Sequence, residues 1–394
     1  MSASHEPITR QLIELLEQDA ELRGLLQQSI AEAQQAHPDP TTNPVESLDD
    51  YYDYVDRAVD LIPVDYLANP SLLTKQRVLQ DICYFYFLID QPLSELDGDG
   101  LFRNTLQYHP PFSAWLRDFA DAWGAFLDTP ASWNEQIYQA FYDDPSFGLQ
   151  EDWYESPSNW QTFNQFFSRH LRTPEMRPVA APQDPLVVAS PADSVPQGVW
   201  AIDAASNISV QDGLTLKLAT YYSVEDLLGA DSPYKDAFAG GTLTHTFLNV
   251  NDYHRYHFAV GGSVLEREVI QKNVALEVSV DTSEGLYVPI DSTGWQFTQT
   301  RGTVVVETET LGLVALIPMG MAQVSSVNFE PDVTVGSVHE KGDPLGFFLF
   351  GGSDFVMLFQ EGVSLEITVP KDGASAYRHV LTGQEYGVVE LRDP

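Results

Sequence analysis

Apolar residues in the first part of the chain recur every three or four positions. Ile8, Leu12, Leu15 and Leu16 are followed by Leu22, Leu25 and Leu26, with Glu and Gln between them. Residues at that spacing share one face of a helix, so the pattern predicts amphipathic helices. Pro38 and Pro40 end this segment, and the Asp-Pro-Thr-Thr-Asn-Pro stretch reads as a linker. A second helical block is expected from about Leu48 to Phe126, interrupted at Pro63, Pro70, Pro92 and the Pro110-Pro111 pair. Trp133 to Phe141 reads as a further helix. Near residue 150 the pattern changes. Leu186–Ala189, Ala275–Val280, Thr303–Val306, Leu313–Ile317, Phe355–Phe359 and Ser364–Val369 are short, β-rich and punctuated by Gly, Pro and Asp. The predicted class is α+β, with a helical N-terminal domain over 1–150 and a mostly antiparallel-β domain over 151–394.

The length, 394 residues, agrees with more than one domain. Hydrophobic residues make up 43% and aromatic residues 12%, enough for large cores and unlike a disordered chain. The most apolar runs, Ile82–Ile89 and Phe347–Phe350, fall far short of the roughly 18 residues of a membrane span. No basic stretch followed by an apolar one opens the sequence, so no signal peptide is expected. A lone cysteine, Cys83, excludes an intrachain disulfide and a thiolate metal cluster, and a cytoplasmic location is the expectation. Twenty basic residues against 57 acidic ones give a net charge of −37. Such a surface repels nucleic acid and anionic membranes, so neither is an expected partner. The acidity serves solubility, or else suits a salt-rich environment in which ions screen the self-repulsion; stability measured against salt separates the two.

Four separated segments carry candidate chemistry: Ser190–Asp193, Tyr253–His257, Lys341–Gly346 and Phe350–Ser353. In the last, Gly351-Gly352 permits a tight backbone distortion that brings the Ser353 hydroxyl towards the preceding carbonyl, where attack would turn an amide into an ester. A plain hairpin glycine pair gives the same three letters. His254 and His257 would share one face of a helix but opposite faces of an ideal strand, so a common site on a strand needs a turn or bulge. Histidines satisfied by hydrogen bonds inside the fold are the alternative, and no carboxylate or cysteine at ligand spacing supports a metal. Asp193 alone reads as a turn residue; with a His and a Ser it completes the parts of an acid–base–nucleophile triad.

Taken in order, these segments resemble the phosphatidylserine decarboxylases over roughly the last 230 residues. Phe166-Phe167-Ser168-Arg169 through Leu171-Arg172 and Arg177-Pro178 is similar to the family's FF-x-R-x-L…RP. Ser190–Asp193 matches SPAD, and Tyr222-Ser223 with Leu227-Leu228-Gly229 resembles YS-x-x-x-LLG. Tyr253–His257 matches YHR-x-H. Lys341–Phe347 and Phe350–Ser353 match KG-x-x-x-G-x-F…GGS. Two positions depart from the pattern: Ser194 stands where a glycine is usual, and Asp354 where a threonine is common.

The resemblance implies self-cleavage between Gly352 and Ser353, with Ser353 as nucleophile and precursor of a pyruvoyl group. It implies His257 as the general base held by Asp193, and His254 as an aid to decarboxylation. The pyruvoyl ketone would form a Schiff base with the substrate amine, with neither pyridoxal phosphate nor a metal required. The large and small chains are expected to stay together, and oligomeric state is left open, a homo-oligomer included. Trp123–Leu127 and Thr244–Val250 resemble a soluble branch that includes fungal tryptophan decarboxylases, which points to a free aromatic amino acid. Phosphatidylserine is the alternative substrate. A non-catalytic alternative also remains: an unprocessed scaffold, or a carrier module suggested by the hairpin-like Val335–Phe347.

Overall fold

The computed structural model describes residues 5–64, 77–208, 222–290, 294–321, 326–373 and 376–391; the expected break at Pro70 lies outside them. The first periodic segment folds as two helices, α1 (Pro7–Gln18) and α2 (Ala20–Ala36), which bury Ile8, Leu12, Leu16, Leu22, Leu25 and Leu26. Asp19 separates them. Its backbone is extended and its carboxylate accepts the Leu22 N–H, so one residue ends a helix and caps the next. Helix α3 (Leu48–Ala58) is capped by Ser47, and α4 (Arg77–Phe87) follows. Pro110 and Pro111 form the first turn of α5 (Pro110–Leu127), where a missing N–H leaves no bond unmade. The helix expected over Trp133–Phe141 is α6 (Glu135–Tyr142), capped by Asn134. A single turn, α7 (Phe163–Phe167), leads into the β portion.

That portion is built on a seven-stranded sheet. In spatial order its strands are Val338–His339, Gly262–Ile270, Thr300–Thr308, Gly312–Met321, Gly352–Phe359, Thr242–Leu248 and Val195–Ala201. Every neighbouring pair is antiparallel. Val187–Ala189, Glu385–Leu391 and Val363–Ile367 form a three-stranded sheet, and Val327–Phe329, Pro344–Phe348 and Arg255–His257 another. The β-rich segments expected from sequence meet strands, but Ala275–Val280 does so only at its end, where Val278–Asp281 pairs with Leu286–Pro289. Before that point its backbone is satisfied by side chains instead: the Leu276 N–H donates to Gln107 and the Ala275 N–H to Gln299.

Strand alternation sends side chains to opposite faces of the large sheet. Val304, Val306, Leu316, Phe355 and Met357 join a core beneath the smaller sheets. Val305, Ala315, Ile317, Val356 and Leu358 join another with Leu227 and Leu228. The helices build a third core, which also takes in Tyr253, Val274, Leu276, Tyr287 and Phe350 from the β portion. Helical and β portions therefore share buried apolar surface, and they share it next to the Gly-Gly-Ser segment.

Candidate active site

Ser353 lies in the Gly352–Phe359 strand, paired with Gly320 on one side and Leu248 on the other. It is fully buried, and its hydroxyl has no hydrogen-bond partner. Two residues upstream, Gly351 takes φ 152°, a backbone that L side chains rarely adopt. Phe350 fixes the approach to this turn. Its ring is fully buried, 5.3 Å from Phe163, 5.3 Å from Phe167 and 6.1 Å from Trp123. Its N–H donates to Asn164 Oδ1 at 3.3 Å, while Asn164 Nδ2 donates to the Gly124 carbonyl at 3.2 Å and to Asp128 at 3.0 Å. One asparagine thus ties the C-terminal end of α5 to the Gly-Gly-Ser turn.

The histidine pair is placed by the small sheet containing Arg255–His257. His254 lies just before this strand, whose partner shifts register between Pro344 and Gly346. His257 is buried. The Gly342 carbonyl, 2.8 Å from Nδ1, can only accept, so neutral His257 carries its proton on Nδ1 and presents the Nε2 lone pair. The Tyr253 hydroxyl lies 3.3 Å from Nε2. Burial lowers the proton affinity of His257, the Gly342 carbonyl and the Asp193 charge partly offsetting it.

Asp193 lies beside this histidine but does not hold its ring. The Ser190–Asp193 turn is joined to His257 through the main chain, the His257 N–H donating to the Pro191 carbonyl at 2.8 Å. The carboxylate itself receives Arg177 Nε at 3.1 Å, Arg177 Nη2 at 2.7 Å and the Thr382 N–H at 2.7 Å. The expectation that Asp193 orients His257 directly is thus replaced by a division of labour. The Gly342 carbonyl orients the ring, and Asp193 acts on it through charge, locked by a buried arginine. Ala192, Tyr256, Leu248 and Phe355, close in sequence to or paired with the three expected residues, all belong to one core.

His254 directly precedes the Arg255–His257 strand. Its ring is fully buried and stacks on Phe167 at 3.8 Å, and its carbonyl accepts the Phe348 N–H at 2.9 Å. Neither ring nitrogen has a hydrogen-bond partner. Burial, reinforced by the Arg169 charge, holds its pKa well below the usual histidine value. On the opposite face of the strand from Ser353, Asp354 is buried against His245 Nε2. Sequence reasoning quoted Arg177, Gly342, Tyr253 and His245 within motifs but gave none of them a role. A buried Asp facing an Arg is a signal that a sequence can carry; a main-chain carbonyl is not.

The phosphatidylserine decarboxylase family model matches residues 163–388, which include Arg169, Arg177, Asp193, His245, His254, His257, Gly342 and Ser353. The decarboxylase iboD of Amanita muscaria is 30% identical over 305 residues, covering 70% of this chain and 82% of that protein. The phosphatidylserine decarboxylase proenzyme of Chlamydia felis is 27% identical over 293 residues, covering 74% and 86%. Proenzyme 2 of Oryza sativa subsp. japonica is 28% identical over 249 residues, 62% of this chain but only 36% of the longer rice protein. The chain belongs to the phosphatidylserine decarboxylase family and is a carboxy-lyase.

Proposed function

We propose that the chain matures by cutting itself between Gly352 and Ser353, and that the pyruvoyl group so formed decarboxylates a free aromatic amino acid such as tryptophan. One observation carries the reading: a fully buried serine hydroxyl without a partner, two residues after a glycine at φ 152°. An unmade hydrogen bond in a buried site costs about 1–3 kcal/mol, and such a group persists where chemistry needs it free.

In this reading Ser353 Oγ gives its proton to His257 Nε2 and bonds to the Gly352 carbonyl carbon. The C–N bond breaks, the nitrogen takes the proton, and an ester joins the two parts. Removal of the Ser353 Cα proton expels the Gly352 carboxylate by β-elimination, and water then releases ammonia from the remaining unsaturated residue to leave a ketone. His257 suits the first step because its tautomer leaves Nε2 as the acceptor, a lone pair that the Tyr253 hydroxyl meets at 3.3 Å. The residues present fit the group: the precursor is buried and anchored in an inner strand of the large sheet. When formed, such a ketone condenses with an amine and withdraws the electrons that CO₂ leaves behind. His254 would return a proton to the carbon, its depressed affinity making it a strong donor once charged.

The substrate choice rests on the net charge of −37, which opposes approach to anionic lipid, and on the resemblance to the soluble branch. Among the described residues no helix is long and apolar enough to cross a membrane. Phosphatidylserine is the second reading, favoured by the names of the Chlamydia and rice relatives. Intact mass under denaturing conditions tests maturation: two chains, 1–352 and 353–394, the smaller lighter by one ammonia than a serine-ended peptide. Ser353→Ala should remain one chain without activity. A single wild-type chain, or an active Ser353→Ala, defeats the reading. A panel of amino acids beside phosphatidylserine, with CO₂ release as readout, then decides the substrate.

A further inference from the structure

Arg169 is fully buried, yet most of its donors are unused. Its Nη2 reaches only neutral acceptors, the carbonyls of Asp252 at 3.1 Å, Asn251 at 3.3 Å and Phe147 at 3.5 Å, and the Tyr154 hydroxyl at 3.4 Å. Nε and Nη1 have no partner at all. Other buried arginines behave differently. Arg177, Arg255 and Arg301 each have an acceptor at all three nitrogens, including a carboxylate for the first two. A guanidinium cannot shed its charge, and a buried one without an anion is strongly unfavourable. This one persists in a chain with 57 acidic residues, none of which pairs with it among the described residues.

Its position says what is missing. The guanidinium stacks on Tyr154 at 4.4 Å and lies 5.2 Å from Phe166. It grips the Asn251-Asp252 turn that leads into His254, whose ring rests on Phe167. Unused donors of Arg169 and the unpartnered imidazole of His254 therefore belong to one buried neighbourhood, adjoining the Phe167–Phe350 contact that holds the cleavage turn.

We propose that Arg169 is the anion-binding residue of the site and receives the carboxylate of the substrate through Nε and Nη1. The assignment rests on the decarboxylase reading but not on either substrate, since a free amino acid and phosphatidylserine carry the same carboxylate. The contact weakens as the carboxylate becomes neutral CO₂, so it serves binding and orientation rather than bond breaking. Its loss belongs in KM, with kcat unchanged or raised.

The test uses the processed enzyme and acids that lack an amine, which bind without condensing. For the aromatic arm, calorimetry compares indole-3-propionate with indole-3-propionamide. For the lipid arm, it compares N-acetylated short-chain phosphatidylserine with its carboxyl methyl ester. In the arm that matches the substrate, the acid should bind wild type roughly 10- to 100-fold more tightly than the neutral analogue, the range of a charge-assisted bond. Arg169→Gln and Arg169→Lys should still split into two chains, lose most of that preference and raise KM by a similar factor. Equal affinity for acid and neutral analogue in both arms on wild type overturns the proposal without any variant. Folded Arg169 variants that fail to cleave would place the residue in maturation and also overturn it. An acid preference that depends on Arg169, in a protein that releases no CO₂ from either substrate class, would uphold the site and sink the decarboxylation reading instead.

Discussion

Arg177→Met removes the guanidinium that locks Asp193 and leaves a chain of similar length. The two side chains are 2% and 4% exposed, so water cannot replace what is lost. Asp193 would keep only the Thr382 N–H, and Arg177 would also lose its place over the Trp153 ring at 4.6 Å. Breaking a buried pair from one side costs about 3–5 kcal/mol, far above the roughly 0–1 kcal/mol of an exposed pair. Unfolding by urea in the uncut Ser353→Ala background measures this on a single chain. Asp193→Asn should cost a comparable amount. The double variant should lose less than the two single losses added, because no unpaired charge remains. With Ser353 restored, Arg177→Met should also mature slowly, since the Ser190–Asp193 turn is bonded to the His257 main chain. A loss below about 1 kcal/mol, or strict additivity, would refute the view that this arginine holds the acid in place.

Two further predictions follow from groups away from the reacting atoms. Burial pushes the Asp90 carboxyl up from 3.8 to about 7, despite the Val278 N–H and the Arg103 charge that favour its ionised form. The folded state then binds a proton more tightly than the unfolded one, so this stabilisation is full below pH 4 and is lost as pH rises through 7. Asp90→Asn should flatten that decline, recovering up to about 4 kcal/mol at pH 8 as read by urea unfolding at pH 5 and 8; parallel curves would contradict the assignment. At Gly346 an added Cβ would sit 2.0 Å from the Asn328 carbonyl and 2.7 Å from the Tyr256 ring, so Gly346→Ala must push apart the strands that place His257. It should cost about 1–3 kcal/mol or more and slow self-cleavage by mass analysis; normal maturation would show that the strand yields freely.

The helices were legible because their apolar faces repeat at the helical period, and Leu12, Leu16, Leu22 and Leu26 are buried as that period requires. The family was legible because its Ser, His and Asp motifs stand in order along the chain. What escaped depends on contacts between distant residues or on the main chain. Gly342 fixes the His257 tautomer with a carbonyl, and any residue type supplies one. Asp354 departs from the family pattern, and its partner His245 lies 109 positions away. Ala275–Val280 has strand composition, but Gln107 and Gln299 take the hydrogen bonds that a neighbouring strand would have made. The helical core claims Phe350 from deep in the β portion, and no local period could reveal that.

That borrowed phenylalanine bears on what a cut before Ser353 would do. The segment after the cut is not a tail. Gly352–Phe359 is an inner strand, paired along its length with Gly312–Met321 and Thr242–Leu248. Val363–Ile367 and Glu385–Leu391 build the sheet that holds Val187–Ala189. Thr382 reaches back to Asp193 through its N–H, and His379 to Asp252 at 2.8 Å. Cleavage would remove one covalent bond and leave these ladders intact, and Phe355, Met357 and Phe359 would stay in a core shared by both chains. The segment before the cut has a separate anchor, since Phe350 is held by Trp123, Phe163 and Phe167 of the helical portion. Between the two anchors only Gly351 and Gly352 lack a side chain to hold them. Backbone freedom is therefore concentrated at Gly351, next to where an ester would form if the chain cuts itself, while Gly352 and Ser353 are held by the ladder to Met321 and Gly320.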